Sequence, residues 1–166
     1  MDNYILRPAT ENDIPLILHF ILELARYEKR EDNVKATVQS LHDALFVKKT
    51  AHALIPELNG EPIGYAVYFY NFSTFEGRQG LYVEDVYINP EQRGRGFGKA
   101  VFVHLAQLAS QNDCARMEWT CLDWNTPSHR FYQSLGASTH PSWIIHRLSG
   151  DRLDALAGKT VVSADM

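Results

Sequence analysis

The segment Ile63-Gly64-Tyr65-Ala66-Val67-Tyr68-Phe69-Tyr70 is apolar on both alternating faces, and it constrains the fold more than any other part of the chain. Successive side chains of a strand point to opposite sides of a sheet, so a strand with no polar side is covered by other elements on both faces. The chain supplies helices for this. Ile14, Ile17, Leu18, Ile21, Leu22 and Ala25 recur at helical spacing and form one apolar stripe, predicting a helix from the Thr10 to Asp13 capping segment and Pro15 as far as about Tyr27. After a solvated loop at Lys29 to Asn33, Thr37 is placed to cap a second helix with Val38, Leu41, Ala44 and Leu45 inward.

Strands are expected around Tyr4 to Arg7, from Ala51 to Leu58 and from Pro62 to Phe72; Asn59-Gly60 between the last two is a strong signal for a tight hairpin. A turn over Ser73 to Gly80 leads to a strand from Leu81 to Ile88. A glycine-rich loop then opens a helix with Val101, Leu105 and Leu108 inward, ending near Gln111 to Asp113. A strand from Ala115 to Leu122, a helix from Pro127 to Leu135 and a strand around Trp143 to Leu148 follow. The order β-α-α-β-β-β-α-β-α-β predicts an α/β (α+β) fold with a mixed, mostly antiparallel sheet and helices on both faces. One domain over residues 1–158 is expected, with one short helix after Gly150 and a flexible tail at 159–166.

The 166 residues carry 16 basic and 20 acidic side chains, a net charge of −4, which is a poor match to a phosphate backbone or an anionic membrane. Nucleic acid and membrane are therefore not expected partners. No apolar run approaches a membrane span, and Met1-Asp2-Asn3-Tyr4 does not read as a signal peptide; a cytoplasmic location is expected. Cys114 and Cys121 are too few for a disulfide framework and read as reduced and buried. The seven histidines show no zinc-helix pairing, so no metal is expected.

The loop Arg93-Gly94-Arg95-Gly96-Phe97-Gly98-Lys99 lies between a predicted strand and a predicted helix. Alternate glycines let successive N–H groups converge, and the helix adds its positive end, a combination that binds phosphate oxygens. Arg93, Arg95 and Lys99 add cations at the rim. A nucleoside-triphosphate loop is disfavoured, because Arg93 occupies the first-glycine position and Ala100 the magnesium-ligand position. A dinucleotide fingerprint fails because Lys99 takes the third-glycine position. A pyrophosphate held by backbone amides without metal fits the Q/R-x-x-G-x-G/A form; a merely tight glycine turn is the alternative.

These residues resemble the GNAT superfamily of acetyl-coenzyme A-dependent N-acetyltransferases. With Arg7-Pro8-Ala9-Thr10, Glu23 to Glu28, Tyr82 to Ile88, and Asp123 to Ser128 followed by Phe131-Tyr132 and Leu135-Gly136-Ala137, the resemblance is to the diamine, spermidine and thialysine branch and covers residues 4 to about 158. It implies that Val86, Tyr87 and Ile88 pair through their backbone with the pantetheine arm. By the same resemblance the loop from Arg93 through Gly94, Arg95, Gly96, Phe97 and Gly98 to Lys99 takes the pyrophosphate, and Asn125 and Ser128 line the cofactor's far side. It further implies that Tyr132 faces the departing sulfur, that Glu84 serves the amine, that Tyr27 and Glu28 recognise substrate, and that the protein is a homodimer. The Asn71 to Arg78 turn lacks the acidic residue of the spermidine enzymes and looks closer to the thialysine type.

A primary amine of pKa about 10.4 is neutral in only about one molecule per 2,500 at pH 7, so transfer to it needs a base. Glu84 shares the parity of Val86 and Ile88 on an ideal strand and is the candidate; Asp85 points the other way and reads as a structural hydrogen-bonder or arginine partner. Thr126 is the expected N-cap, Pro127 the first turn and Gly136 the stop of a helix in which Phe131 and Leu135 face the core. Tyr132, about 100° round from Phe131, can face a cleft beside Ser128. The N–H of Val86 is a candidate oxyanion donor. Trp119, Trp124 and Trp143 read as core or interface aromatics, with Trp143 also a candidate edge of an amine pocket. Cys121 is the one candidate for a covalent route; direct attack in a ternary complex is favoured. The leading expectation is acetyl transfer to a small cationic amine. Acetylation of a protein lysine or N-terminus, and a non-catalytic coenzyme A-binding module, are the alternatives.

Overall fold

In the computed structural model, which describes residues 1–159, Asn59 and Gly60 sit at φ 54° and 84°, the positive pair that a tight two-residue hairpin turn requires. They reverse the chain between β2 (His52–Leu58) and the short β3 (Glu61–Pro62), with Glu57 opposite Pro62 and Leu58 opposite Glu61. The expected strand from Pro62 is interrupted at Ile63, whose N–H donates to the Pro56 carbonyl at 2.9 Å, and resumes as β4 (Gly64–Ser73). β1 (Tyr4–Pro8) pairs antiparallel with β2, and β2 with β4. β4 returns antiparallel as β5 (Arg78–Ile88), from Ser73 opposite Arg78 to Gly64 opposite Ile88. The predicted Ser73 to Gly80 turn therefore shrinks, because Arg78, Gln79 and Gly80 join the ladder.

β6 (Met117–Glu118) pairs parallel with Leu81 and Tyr82, completing a mixed sheet of order β1-β2-β4-β5-β6 with β3 on β2. The strand expected over Ala115 to Leu122 is thus reduced to two residues. Beyond Tyr82 the two strands are no longer paired, and β5 has no strand on its outer edge from Val83 to Ile88 among the described residues.

Alternation along the strands sorts the core into two layers. Leu54, Ala66, Tyr68, Leu81, Val83 and Ile88 pack with Val101, Leu105 and Ala109 of α3 (Phe97–Gln111). Ile55, Tyr65 and Tyr87 pack on the other face with Ile17 and Phe20 of α1 (Ile14–Tyr27) and with Leu45. The expectation for β4 holds: its neighbours Tyr65 and Ala66 are both fully buried, on opposite sides. Burying each large apolar side chain contributes about 1.5–3 kcal/mol. Thr37 caps α2 (Val38–His42), accepting from the Ser40 N–H at 3.1 Å. The helix widens into a π turn over Asp43–Val47, so Leu45 reaches the core from a wider spiral than the predicted one.

Arg7 ties the edge of the sheet to the start of α1. Its guanidinium donates to Asp13 at 2.8 and 3.0 Å and to Glu57 at 2.6 Å. The hydrogen bond from Arg7, with the Thr10 N–H and hydroxyl, holds the Asp13 carboxyl below the usual carboxylate range, and both carboxylates raise Arg7 in return.

Backbone contacts divide the chain into Met1–His129 and Arg130–Met166. The first unit holds the whole sheet and α1 to α3. Helix α4 (Thr126–Ser134) begins in the first unit and ends in the second, which also contains α5 (Asp151–Leu156), the short helix expected after Gly150. The strand expected at Trp143 to Leu148 is not formed: these residues are exposed and pair with no strand among the described residues. A strand needs a ladder partner to persist. Of the tail expected at 159–166, residues 160–166 lie outside the described residues, and Lys159 pairs with Asp154 at 3.4 Å.

Candidate active site

One extra residue shapes the centre of β5. Val67 lies opposite Asp85 while Tyr68 lies opposite Val83, so Glu84 has no partner and forms a β-bulge. Val83 and Val86, an odd step apart, both pack in the layer of α3, whereas Tyr87 packs on the α1 side. Asp85 accepts a hydrogen bond from the Tyr65 hydroxyl, itself on the α1 side, at 2.9 Å. The ideal alternation that groups Glu84 with Val86 and Ile88 is therefore interrupted at Glu84, which stands exposed.

The outer edge of β5 runs directly into the glycine loop. Val86 and Ile88 turn into one core layer and Tyr87 into the other, leaving only their backbone for a ligand at that edge. Gly94 and Gly96 have φ of 75° and 89°; a methyl added at either meets no atom within 4 Å, so conformation rather than space requires glycine there. Among the described residues, no N–H from Gly94 to Lys99 donates to a turn, loop or cap carbonyl, and the first turn of α3 has no intrahelical acceptor for its own. The rim cations are committed unequally. Arg93 donates through Nε to the Ile88 carbonyl at 2.8 Å and lies over the rings of Tyr27 and Tyr87, 5.2 and 5.4 Å from their centroids. Arg95 reaches Asp2 at 2.5 Å and also bonds Gln92, over the Phe97 ring. Lys99 stands exposed on the first turn of α3.

Negative charge collects beside this edge. Asp85 is pushed up to about 6, by burial first and then by the charges of Glu84 and Glu28, against the lowering effect of the Tyr65 hydrogen bond. Burial also raises Glu28. The Tyr65 hydroxyl is held far above the usual tyrosine range by burial and the nearby carboxylates. At the end of α1 the Tyr27 hydroxyl donates to Asn125 Oδ1 at 3.1 Å. The same oxygen accepts the Ser128 N–H at 3.4 Å, so buried Asn125, not Thr126, caps α4. Trp124 stands beside Tyr27 with Lys29 Nζ 5.7 Å from its ring centroid.

The structure thus gathers Tyr27, Glu28, Glu84, Val86, Tyr87, Ile88, Arg93 and Asn125 around one end of β5. Within the second unit, Tyr132 is half-buried, its ring 5.5 Å from that of Phe131, and its carbonyl accepts from the N–H groups of Leu135 and Ala137 at 3.1 Å each. Trp143 is exposed. Sequence reasoning passed over Tyr65 and gave Asp85 a structural part. Their contact lies in the regular stretch of the ladder, where Val67 stands opposite Asp85 and Tyr65 opposite Tyr87, a register that the sequence alone does not fix.

A Cα path of this kind, with an unpaired strand edge opening into an amide nest, has counterparts among known proteins. Residues 18–137 match the family model described as Acetyltransferase (GNAT) family, and the chain belongs to that family, as an enzyme of the acyltransferase class. It is 36% identical over 166 aligned residues to a thialysine N-epsilon-acetyltransferase of Bos taurus, covering 93% of this chain and 97% of the relative. It is 36% identical over 93 residues to an L-ornithine N5-acetyltransferase of Arabidopsis thaliana, covering 56% of this chain and 41% of that one. Among solved structures it is similar to an integron cassette protein from the mobile metagenome of V. cholerae, with TM-score 0.77 and 26% identity over 93% of this chain and 97% of that chain. No helix among the described residues is long and apolar enough to cross a membrane.

Proposed function

We propose that residues 1–158 act as one domain that transfers an acetyl group from acetyl-coenzyme A to the primary amine of a small cationic molecule, with thialysine, lysine-like amino acids, diamines and polyamines as the class. The observation that carries this is the open edge of β5 leading into the uncommitted amides from Gly94 to Lys99, with Glu28, Glu84 and Asp85 beside it. The residues fit the cosubstrate. The amides suit a pyrophosphate, and the backbone of Val86 to Ile88 suits the amide-bearing arm, in the manner of an added strand. The bound thioester supplies an activated acetyl group.

The chain's own residues do the rest. The carboxylates of Glu28 and Glu84 draw in an ammonium ion, and Glu84, exposed at the bulge, accepts its proton directly or through water. The N–H of Val86 is the donor to the developing oxyanion. Tyr132 donates to the departing sulfur; a phenol near 10 and a thiol near 8.5 differ by about 2 kcal/mol against full transfer, so its hydrogen bond is the larger contribution. Trp143 edges the amine pocket, and Asn125 with Ser128 lines the cofactor's far side. The working form is a cytoplasmic homodimer. The relatives named for thialysine and ornithine support a small basic acceptor over a protein lysine or N-terminus.

The test is thiol release from acetyl-coenzyme A across a panel of basic amino acids, diamines and lysine peptides. Turnover with the small amines supports the proposal. Activity that grows with peptide length overturns it in favour of a protein acceptor, and cosubstrate binding without turnover leaves a coenzyme A-binding module.

A further inference from the structure

We infer that Asp2 is a positioning residue of the glycine loop: its carboxylate holds Arg95 as a stand-in for phosphate, and an incoming diphosphate takes the guanidinium from it. The inference rests on the cosubstrate reading proposed above, and adds to it a residue that sets how tightly the diphosphate end is held.

Of the loop's three cations, Arg93 is held by a carbonyl and two rings, and Arg95 alone has an ion pair among the described residues. Its Nη2 donates to Asp2 Oδ2 at 2.5 Å. Its Nη1 donates to Gln92 Oε1, so both terminal nitrogens of the planar fork that suits a phosphate are already in use. Gln92 is neutral; the opposing charge comes from Asp2. That carboxylate is brought to the loop by the β2–β3 turn. The Asn3 N–H donates to Asn59 Oδ1 at 2.8 Å, and the Asn3 carbonyl accepts the Asn59 N–H at 2.8 Å, one residue beyond the Tyr4 to Leu58 pair of the β1–β2 ladder. Asn59 Nδ2 then donates to the second oxygen of Asp2, Oδ1, at 3.3 Å. From the loop, Arg95 lies over the Phe97 ring, 5.1 Å from its centroid, and Phe97 stacks on Tyr4 with the rings 5.1 Å apart. Residues 2–4, the turn and the loop thus form one set of contacts, in which both carboxylate oxygens are occupied.

A diphosphate carries more charge than a carboxylate and more oxygens to accept the fork, so once seated on the amides it wins Arg95. The exchange costs the pair that it breaks. The side chains of Arg95 and Asp2 are 42% and 56% exposed, a setting in which an ion pair shifts a population by a few-fold only. Affinity for the diphosphate is lowered by the fraction of molecules in which Arg95 is free to meet it. Asp2 touches neither the thioester nor the amine in this account; it acts through Arg95.

The test is titration calorimetry with coenzyme A at low salt, joined to kinetics with two thioesters. Asp2→Asn keeps the shape and an accepting oxygen but not the charge, and tightens coenzyme A by about three- to fivefold. The gain fades at about 0.5 M salt, where exposed pairs are screened. With acetyl-coenzyme A the variant lowers KM and leaves kcat within about twofold, whereas kcat/KM for S-acetylpantetheine, which has no diphosphate, does not move. A merely structural role for Asp2 would change both thioesters alike. Arg95→Gln weakens coenzyme A binding, and in that background Asp2→Asn has no further effect. A coenzyme A affinity that is unchanged or weaker in Asp2→Asn, or a gain that persists beside Arg95→Gln, overturns the inference and leaves acetyl transfer intact. Coenzyme A binding without amine turnover overturns acetyl transfer, and the affinities of the two variants still decide the part played by Asp2. No binding of coenzyme A to the unaltered protein overturns both.

Discussion

Replacing Gly64 by alanine tests whether the end of the β4–β5 ladder is as close as the structure shows. Gly64 has no positive φ to forbid a side chain, but its added Cβ would lie 2.0 Å from the carbonyl oxygen of Tyr87, with Tyr87 C at 3.0 Å and Ile88 Cα at 3.1 Å. Ordinary contact begins at 3.4 Å, leaving a shortfall of 3.4 − 2.0 = 1.4 Å against backbone. The strands must part, straining the Asn89 N–H to Ile63 carbonyl bond of 2.8 Å and the Arg93 anchor on Ile88. Overpacking of about 1–3 kcal/mol and one or two hydrogen bonds of about 1 kcal/mol each sum to about 2–5 kcal/mol. Urea unfolding followed by circular dichroism, with a slope of about 2 kcal/mol/M, would show the midpoint falling by roughly 1–2.5 M. Gly96→Ala is the control, because it meets open space and incurs only the left-handed backbone, about 1–2 kcal/mol. A loss below about 1 kcal/mol in Gly64→Ala, or one no larger than in Gly96→Ala, would refute the reasoning.

Further outcomes follow from the same geometry. Arg7→Ala leaves the largely buried carboxylates of Asp13 and Glu57 without their cation and is expected to destabilise by about 2–4 kcal/mol at pH 7; because Asp13 is lowered in the folded state, its share of stability is present above its unfolded pKa and lost as pH falls through the folded one, so the deficit shrinks in acid. Asp85 is the opposite case: a carboxyl raised on folding stabilises below its unfolded pKa and loses that contribution as pH rises to about 6. Asp85→Asn should therefore melt higher than the unaltered protein by an amount that grows between pH 4 and 6 and then levels; a constant difference in calorimetric scans would contradict this. Tyr132→Phe is expected to lower kcat by roughly 10²-fold or more with thioester affinity kept, and a near-normal kcat removes its acid role.

The parts of the fold governed by short-range rules were readable in the residues. The stripe from Ile14 to Ala25 gave α1, the doubly apolar β4 gave the two-sided core, and Gly94, Gly96 and Lys99 gave the strand-to-helix nest. What escaped was set by partners distant in the chain. Whether Ala115 to Leu122 forms a long or a two-residue strand depends on where it leaves β5, and Trp143 to Leu148 has strand composition but no ladder among the described residues. At the site, the choice between Glu84 and Asp85 turned on alternation, which assumes two residues per repeat. A single unpaired position defeats that assumption, and no local propensity announces it.

That unpaired position divides β5 into two lengths with independent phase. Between Arg78 and Val83 the strand keeps time with the hairpin tip; between Asp85 and Ile88 it keeps time with the loop that follows. Residues can thus be exchanged around Phe75 at the hairpin tip without rotating the backbone from Asp85 to Ile88. Removing Glu84 would join the two lengths into one uninterrupted ladder: Val83 and Asp85, already on opposite sides of the sheet and opposite the adjacent Tyr68 and Val67, would become ordinary neighbours with no side chain turned over, so a one-residue deletion there should remove the exposed carboxylate while sparing the core.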